Sequence, residues 1–145
     1  MRHRMAIAVL ALLGLLSSAY LLLYKLGIVG TLMCGGSGAC ERVQDSPYAQ
    51  FLGLPVALYG VGGFGVLLLV ALAGLGERWG THPGPSRLLA GLSGIGVLFA
   101  MYLTYLELAV IHDVCKWCVA IAVIITAIFV VAVRGARALR TVPAP

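Results

Sequence analysis

Charge is what this chain has least of. Only 10% of its 145 residues are Asp, Glu, Lys or Arg, against about 25% in an ordinary soluble domain, and that scarcity excludes a soluble globular fold. Disorder is excluded too: a disordered segment joins low hydrophobicity to high net charge, whereas 61% of this chain is hydrophobic and its mean hydropathy is +1.05. Acids are rarest, five against ten Lys and Arg, for a net charge of +5. The basic residues lie at the chain ends and between apolar runs, which suits a membrane surface better than a nucleic-acid groove, and no nucleic-acid partner is expected. Flavin and nicotinamide motifs are missing, as is a pair of histidines within one helix that would hold haem; His3 and His82 stand apart.

What is present is long uncharged apolar sequence. Met5 to Tyr24, Leu54 to Leu75, Leu88 to Leu106 and Trp117 to Val133 carry no charge, and crossing a bilayer takes about 20 such residues of helix. The expectation is an all-α, polytopic membrane protein: one domain over 1–145, a bundle of four transmembrane helices at about 5–28, 54–75, 87–110 and 114–134. A signal peptide is the competing reading of the first run, which follows Arg2 and Arg4, but the run is longer than a usual signal core and lacks a clean small-residue cleavage site. The glycine runs GVGGFG at 60–65 and GLSGIG at 91–96 fall inside expected helices. No strand precedes either of them as a phosphate loop requires, so they are read as close helix packing.

Loops rich in Lys and Arg stay in the cytoplasm. Arg2, Arg4, Arg78, Arg87, Arg134, Arg137 and Arg140 fall on one side, against Lys25, Arg42 and Lys116 on the other. Both termini are therefore expected in the cytoplasm, at the inner (plasma) membrane of a cell. The longest connection, 29–53, then lies outside. Its second half reads SPYAQFLGLP: Ser46 can cap, Pro47 suits a first helical position and Gly53 an end. A short interfacial helix in this first outer loop is expected, with Tyr48, Phe51 and Leu52 resting on the bundle mouth as a cover; a plain surface turn is the alternative.

The four cysteines come in two pairs, Cys34 and Cys40 in CGGSGAC and Cys115 and Cys118 in CKWC, and both fall outside, where disulfides persist. CKWC opens the fourth expected helix, with Asp113 as N-cap. Unpaired amides and a partial positive charge there stabilise a thiolate, helped by Lys116 and His112. A disulfide between Cys115 and Cys118 closes so small a loop that it stabilises little through chain entropy, so a reactive role explains it better than a staple. The other pair sits on glycine, serine and alanine, a chain free to move between partners. Two dithiols on one face make an electron relay by successive mixed disulfides. The plainer readings are structural disulfides, or a four-cysteine zinc site, whose usual two to four intervening residues are exceeded by the five in CGGSGAC; no metal is expected.

Electrons leaving such a relay need an acceptor, and a lipid-soluble quinone can take them from within the bilayer. A pocket beside Cys118 is expected, with Tyr59, Phe64, Phe99, Tyr102 and Tyr105 either as its aromatic walls or as ordinary packing and interfacial residues. The expected activity is a thiol oxidoreductase supporting disulfide formation, drawing electrons from a soluble partner outside the membrane. The contrasting reading is a structural or transport bundle with stapled loops. A transporter would hold an ionisable group deep in a helix, and the one candidate, Glu107, reads as lying near an outer end.

CGGSGACERVQDSPYAQFLGLP, followed about sixty residues later by CKWC, resembles the bacterial members of the vitamin K epoxide reductase family over nearly the whole chain. DsbB-like quinone-linked enzymes carry their pairs in the reverse order. The resemblance implies that Cys115 and Cys118 face a quinone of the ubiquinone, menaquinone or vitamin K type, that Cys34 and Cys40 shuttle, and that Ser46 makes a polar contact nearby. It implies a separate thioredoxin-like or DsbA-like periplasmic protein as electron donor, and a route from that partner's thiol to Cys34–Cys40, then through a bond between Cys40 and Cys115 to Cys118. Animal members place an Asn near the start of helix two and a Tyr shortly after CxxC as quinone donors. The matching positions here are Val56 and Ala122, a departure that favours plain quinone reduction over epoxide reduction.

Overall fold

The computed structural model describes residues 2–28, 50–51, 53–76, 84–111 and 116–141. They form helix α1 (Arg2–Lys25), strands β1 (Gln50–Phe51) and β2 (Leu54–Pro55), helix α2 (Val56–Ala73), helix α3 (Gly84–Tyr105) running into a π-helix (Leu106–Ile111), and helix α4 (Lys116–Thr141). All four α-helices contribute a segment long and apolar enough to cross a membrane, with hydropathies of 1.7 to 2.6. In hydrocarbon a backbone has no water to bond, so such sequence satisfies its amides within the segment.

Local chemistry sets the ends. α1 stops at Lys25 rather than 28 because Gly27 adopts a left-handed φ of +82°. Gly27 N then donates to Tyr24 O and Ile28 N to Leu23 O, each at 3.0 Å, the paired bonds by which a glycine closes a helix. α2 starts at Val56 rather than 54 because Leu54 and Pro55 pair antiparallel with Phe51 and Gln50, the chain reversing near Gly53 at φ +80°. Within the segment expected as an interfacial helix, Gln50–Phe51 are extended instead. Residues 46–49 and 52 lie outside the described residues. α4 runs on to Thr141, past the expected 134, since the Arg- and Ala-rich sequence after Val133 favours helix.

The helices pack in a ring, α1 against α2 and α4, and α3 against α4 and, most thinly, α2. Their outward faces are apolar: Val9, Leu16, Leu69, Leu98 and Val123 are exposed, as lipid allows and water does not. Apolar burial gives no drive between helices in lipid, so close approach at small residues holds them. A Cβ on Gly96 would stand 2.9 Å from the Ile125 side chain and one on Gly94 3.2 Å from Phe129, which seats α3 on α4. The close-packing expectation does not extend to Gly62, Gly63, Gly65 and Gly91, where an added Cβ meets nothing within 4 Å.

The half of the bundle away from Cys118 is solid. Ile7, Ala11, Phe64, Leu67, Ala71, Leu89, Ile125, Ile128 and Ala132 form one buried cluster. Below it Arg4, counted by sequence as a surface charge, is fully buried. Its Nη1 donates to Gly74 O at 2.6 Å, and Nη2 and Nε donate to Ser86 Oγ at 3.2 and 3.4 Å. One guanidinium thus joins the start of α1, the end of α2 and the first turn of α3.

Candidate functional site

The other half is hollow. All four helices and the π-helix wall a cavity of about 480 Å³. Phe64, Leu67 and Ile125, shared with the solid core, form its floor. Its walls are mostly Gly, Ala, Val, Leu, Ile and Phe, and its polar side chains are Ser18, Tyr59, Thr104, Glu107 and Cys118. Such a chamber accepts a flat apolar ring with a few polar atoms, and among the described residues its lining holds no cation to meet a phosphate.

Cys118 is the third residue of α4, in the turn whose amides lack intrahelical acceptors. It is half-buried and packs with Trp117, Tyr20 and Ile121 against Leu21 and Ala57. Trp117, the second variable residue of CKWC, stacks on Tyr20 of α1 at a centroid distance of 4.9 Å and an angle of 41°, fixing where the first turn of α4 sits. Across the chamber Tyr59 of α2 and Phe99 of α3 meet at 6.2 Å and 57°.

Of the residues expected at the site, Cys118, Val56, Tyr59 and Ala122 all line this one cavity, as do Phe64 and Phe99. Tyr102 and Tyr105, also considered as walls, are 49% and 64% exposed on the outside of the bundle, because they lie on the face of α3 that turns away from its neighbours. Cys34, Cys40, Ser46 and Cys115 lie outside the described residues.

Two wall residues were not legible as such. Glu107, placed by sequence near an outer end, is only 4% exposed and lines the cavity. The π-helix is the reason, since its wider turn breaks the 3.6-residue phase by which a face is read, and such turns recur at functional sites. Ser18 is 1% exposed and its Oγ has no hydrogen-bond partner among the described residues. A serine in an apolar run gives no outward sign of that.

The chamber also opens sideways. Gly62, Gly63, Val66 and Ile95 line it and are exposed, all at the thin seam between α2 and α3.

A four-helix membrane bundle whose CKWC cysteine borders an internal apolar chamber agrees with the comparison to known families, in which residues 5–133 match the Vitamin K epoxide reductase family. That match covers most of the chain, and the protein belongs to this family of membrane redox enzymes.

Proposed function

We propose that this protein is a quinone-dependent thiol–disulfide oxidoreductase that supports disulfide formation outside the cytoplasmic membrane. Electrons come from a separate thioredoxin-like or DsbA-like periplasmic protein, pass through Cys34 and Cys40 to Cys115 and Cys118, and leave to a membrane quinone. The observation that carries this reading is the position of Cys118 in the wall of an apolar chamber enclosed by helices long enough to cross a membrane.

The steps balance. The partner's two thiols reduce the Cys34–Cys40 disulfide and become a disulfide. Cys40 then attacks Cys115, and Cys34 resolves that mixed bond, leaving Cys115 and Cys118 as thiols. Two electrons and two protons pass from this dithiol to the quinone, giving hydroquinone and restoring the Cys115–Cys118 disulfide. The residues present fit such an acceptor: the chamber supplies apolar walls and aromatic faces, and its seam between α2 and α3 gives a lipid-soluble molecule a way in.

Both termini are on the cytoplasmic side in this reading, supported by the seven arginines of that side against three basic residues of the other. Buried Glu107 is the one feature a transport bundle would share, but it stands in the same chamber as Cys118.

The full chain in lipid nanodiscs, given a reduced DsbA-like protein and a short-chain quinone, is expected to consume partner thiols and quinone one pair to one molecule, followed by quinone absorbance and thiol titration. Thiol loss without quinone loss would sink the proposal.

A further inference from the structure

Four helical hydroxyls of this bundle follow one habit. Ser17, Ser93, Thr104 and Thr126 each donate to the carbonyl four residues earlier, at 2.6 to 2.9 Å, which is how a hydroxyl is quieted in an apolar helix. Ser18 does not. Its Oγ is buried and unpartnered among the described residues while its residue lines the chamber.

The opposite helix makes room for it. Gly60 of α2 faces Ser18, and a Cβ there would come within 2.6 Å of Oγ. The depth is also defined. Ser18 precedes Leu21 by one turn on α1, and Gly60 follows Ala57 by one turn on α2; Leu21 and Ala57 are the residues against which Cys118 packs. The hydroxyl therefore lies one helical turn, about 5 Å, deeper in the chamber than the layer of the sulfur. A ring seated between the two would have the sulfur at its outer side and a hydrogen-bonding group at its inner side.

We infer that Ser18 is the hydrogen-bonding anchor of the acceptor, donating its Oγ proton to a quinone carbonyl oxygen one helical turn below the layer of the sulfur. This rests on the proposed function and adds a residue to it. A hydroxyl suits the task in both redox states: it donates to the carbonyl of the quinone and, turned over, accepts from the hydroxyl of the hydroquinone. It neither gains nor loses a proton over the cycle, since both protons of the hydroquinone balance those leaving the Cys115 and Cys118 thiols. The anchor holds the ring against Cys118 and makes the chamber select for a carbonyl over a plain hydrocarbon.

The test compares wild type, Ser18→Ala and Gly60→Ala, as full chains in nanodiscs, with a short-chain benzoquinone as probe. Without quinone, Ser18→Ala is expected to melt at or above the wild-type Tm, because it removes a buried hydroxyl that has no partner. With quinone its Tm rise shrinks, its KM for quinone increases roughly three- to tenfold, the worth of one hydrogen bond, and the infrared carbonyl stretch of the bound probe moves to higher frequency. Gly60→Ala, which crowds Oγ, is expected to raise KM in wild type and to add little in the Ser18→Ala background. A Ser18→Ala protein with unchanged KM, Tm rise and carbonyl stretch overturns the inference, as does one that loses Tm without quinone, which would make the hydroxyl structural. Wild type that neither binds nor reduces the probe would instead overturn the proposed function, and this inference with it.

Discussion

Arg4 and Gly74 lie seventy residues apart in sequence and meet at 2.6 Å, Nη1 of the guanidinium donating to the carbonyl oxygen just beyond the end of α2. The cation sits where the helix leaves its negative pole, and the same group holds Ser86 in the first turn of α3. Arg4→Met is expected to lower unfolding stability by about 2 kcal/mol, the range for a buried hydrogen bond to a charged group. Arg4→Lys should recover only part of it, because an ammonium has no planar fork to serve both partners. Thermal unfolding in nanodiscs or mild detergent reads both, and a Tm unchanged in Arg4→Met would show that the clamp contributes nothing.

Cys118→Ala removes the only described sulfur that borders the chamber. Quinone reduction is expected to fall below detection while the loop pair Cys34 and Cys40 still exchanges once with a reduced partner. Quinone absorbance measures the first, and capture of a partner–protein mixed disulfide on a nonreducing gel the second. Quinone turnover at the wild-type rate would assign the last electron transfer to another group.

Trp117 acts on Cys118 through position. Its ring lies 4.9 Å from that of Tyr20, a contact worth about 1 kcal/mol beyond the area it buries. Trp117→Ala is expected to lower Tm and to reduce kcat with quinone severalfold, with Trp117→Phe restoring most of both. A kcat that stays at the wild-type value while Tm drops would separate stability from placement of the sulfur.

The glycines of α2 and α3 divide by what surrounds them. At Gly96 a Cβ would meet Ile125 at 2.9 Å, whereas at Gly63 it would meet nothing within 4 Å. Gly96→Ala is expected to destabilise by about 1–3 kcal/mol through overpacking. Gly63→Ala should be neutral or stabilising by up to about 1 kcal/mol, since alanine favours helix over glycine. Paired thermal melts decide, and equal losses would contradict the seam between α2 and α3.

Much of this was open to reading in the chain itself. Length and apolarity announce four helices because lipid leaves a backbone few options, and the spacing of CGGSGAC and CKWC carried the redox resemblance. Val56, Tyr59 and Ala122 were singled out by sequence and share the wall with Cys118. Other features depend on contacts that a linear pattern does not encode. Arg4 looked like a surface charge because its acceptors, Gly74 and Ser86, come from distant turns. Glu107 looked peripheral because counting by 3.6 fails where the helix widens at Leu106–Ile111. The helix expected before Gly53 gave way at Gln50–Phe51 to pairing with Leu54–Pro55, since a capping pattern does not weigh against a strand partner a few residues on.

The division of the bundle into a filled half and an empty half separates cohesion from chemistry. The residues that knit the helices together, from Arg4 up to Ile128, meet those that would touch an acceptor mainly at the shared floor of Phe64, Leu67 and Ile125. Chamber residues above that floor, such as Val56, Tyr59 and Ala122, can therefore be exchanged for larger or smaller ones, retuning which oxidant is admitted, while the anchorage beneath them stays intact: a scaffold of this kind tolerates changes of preference without relearning how to fold.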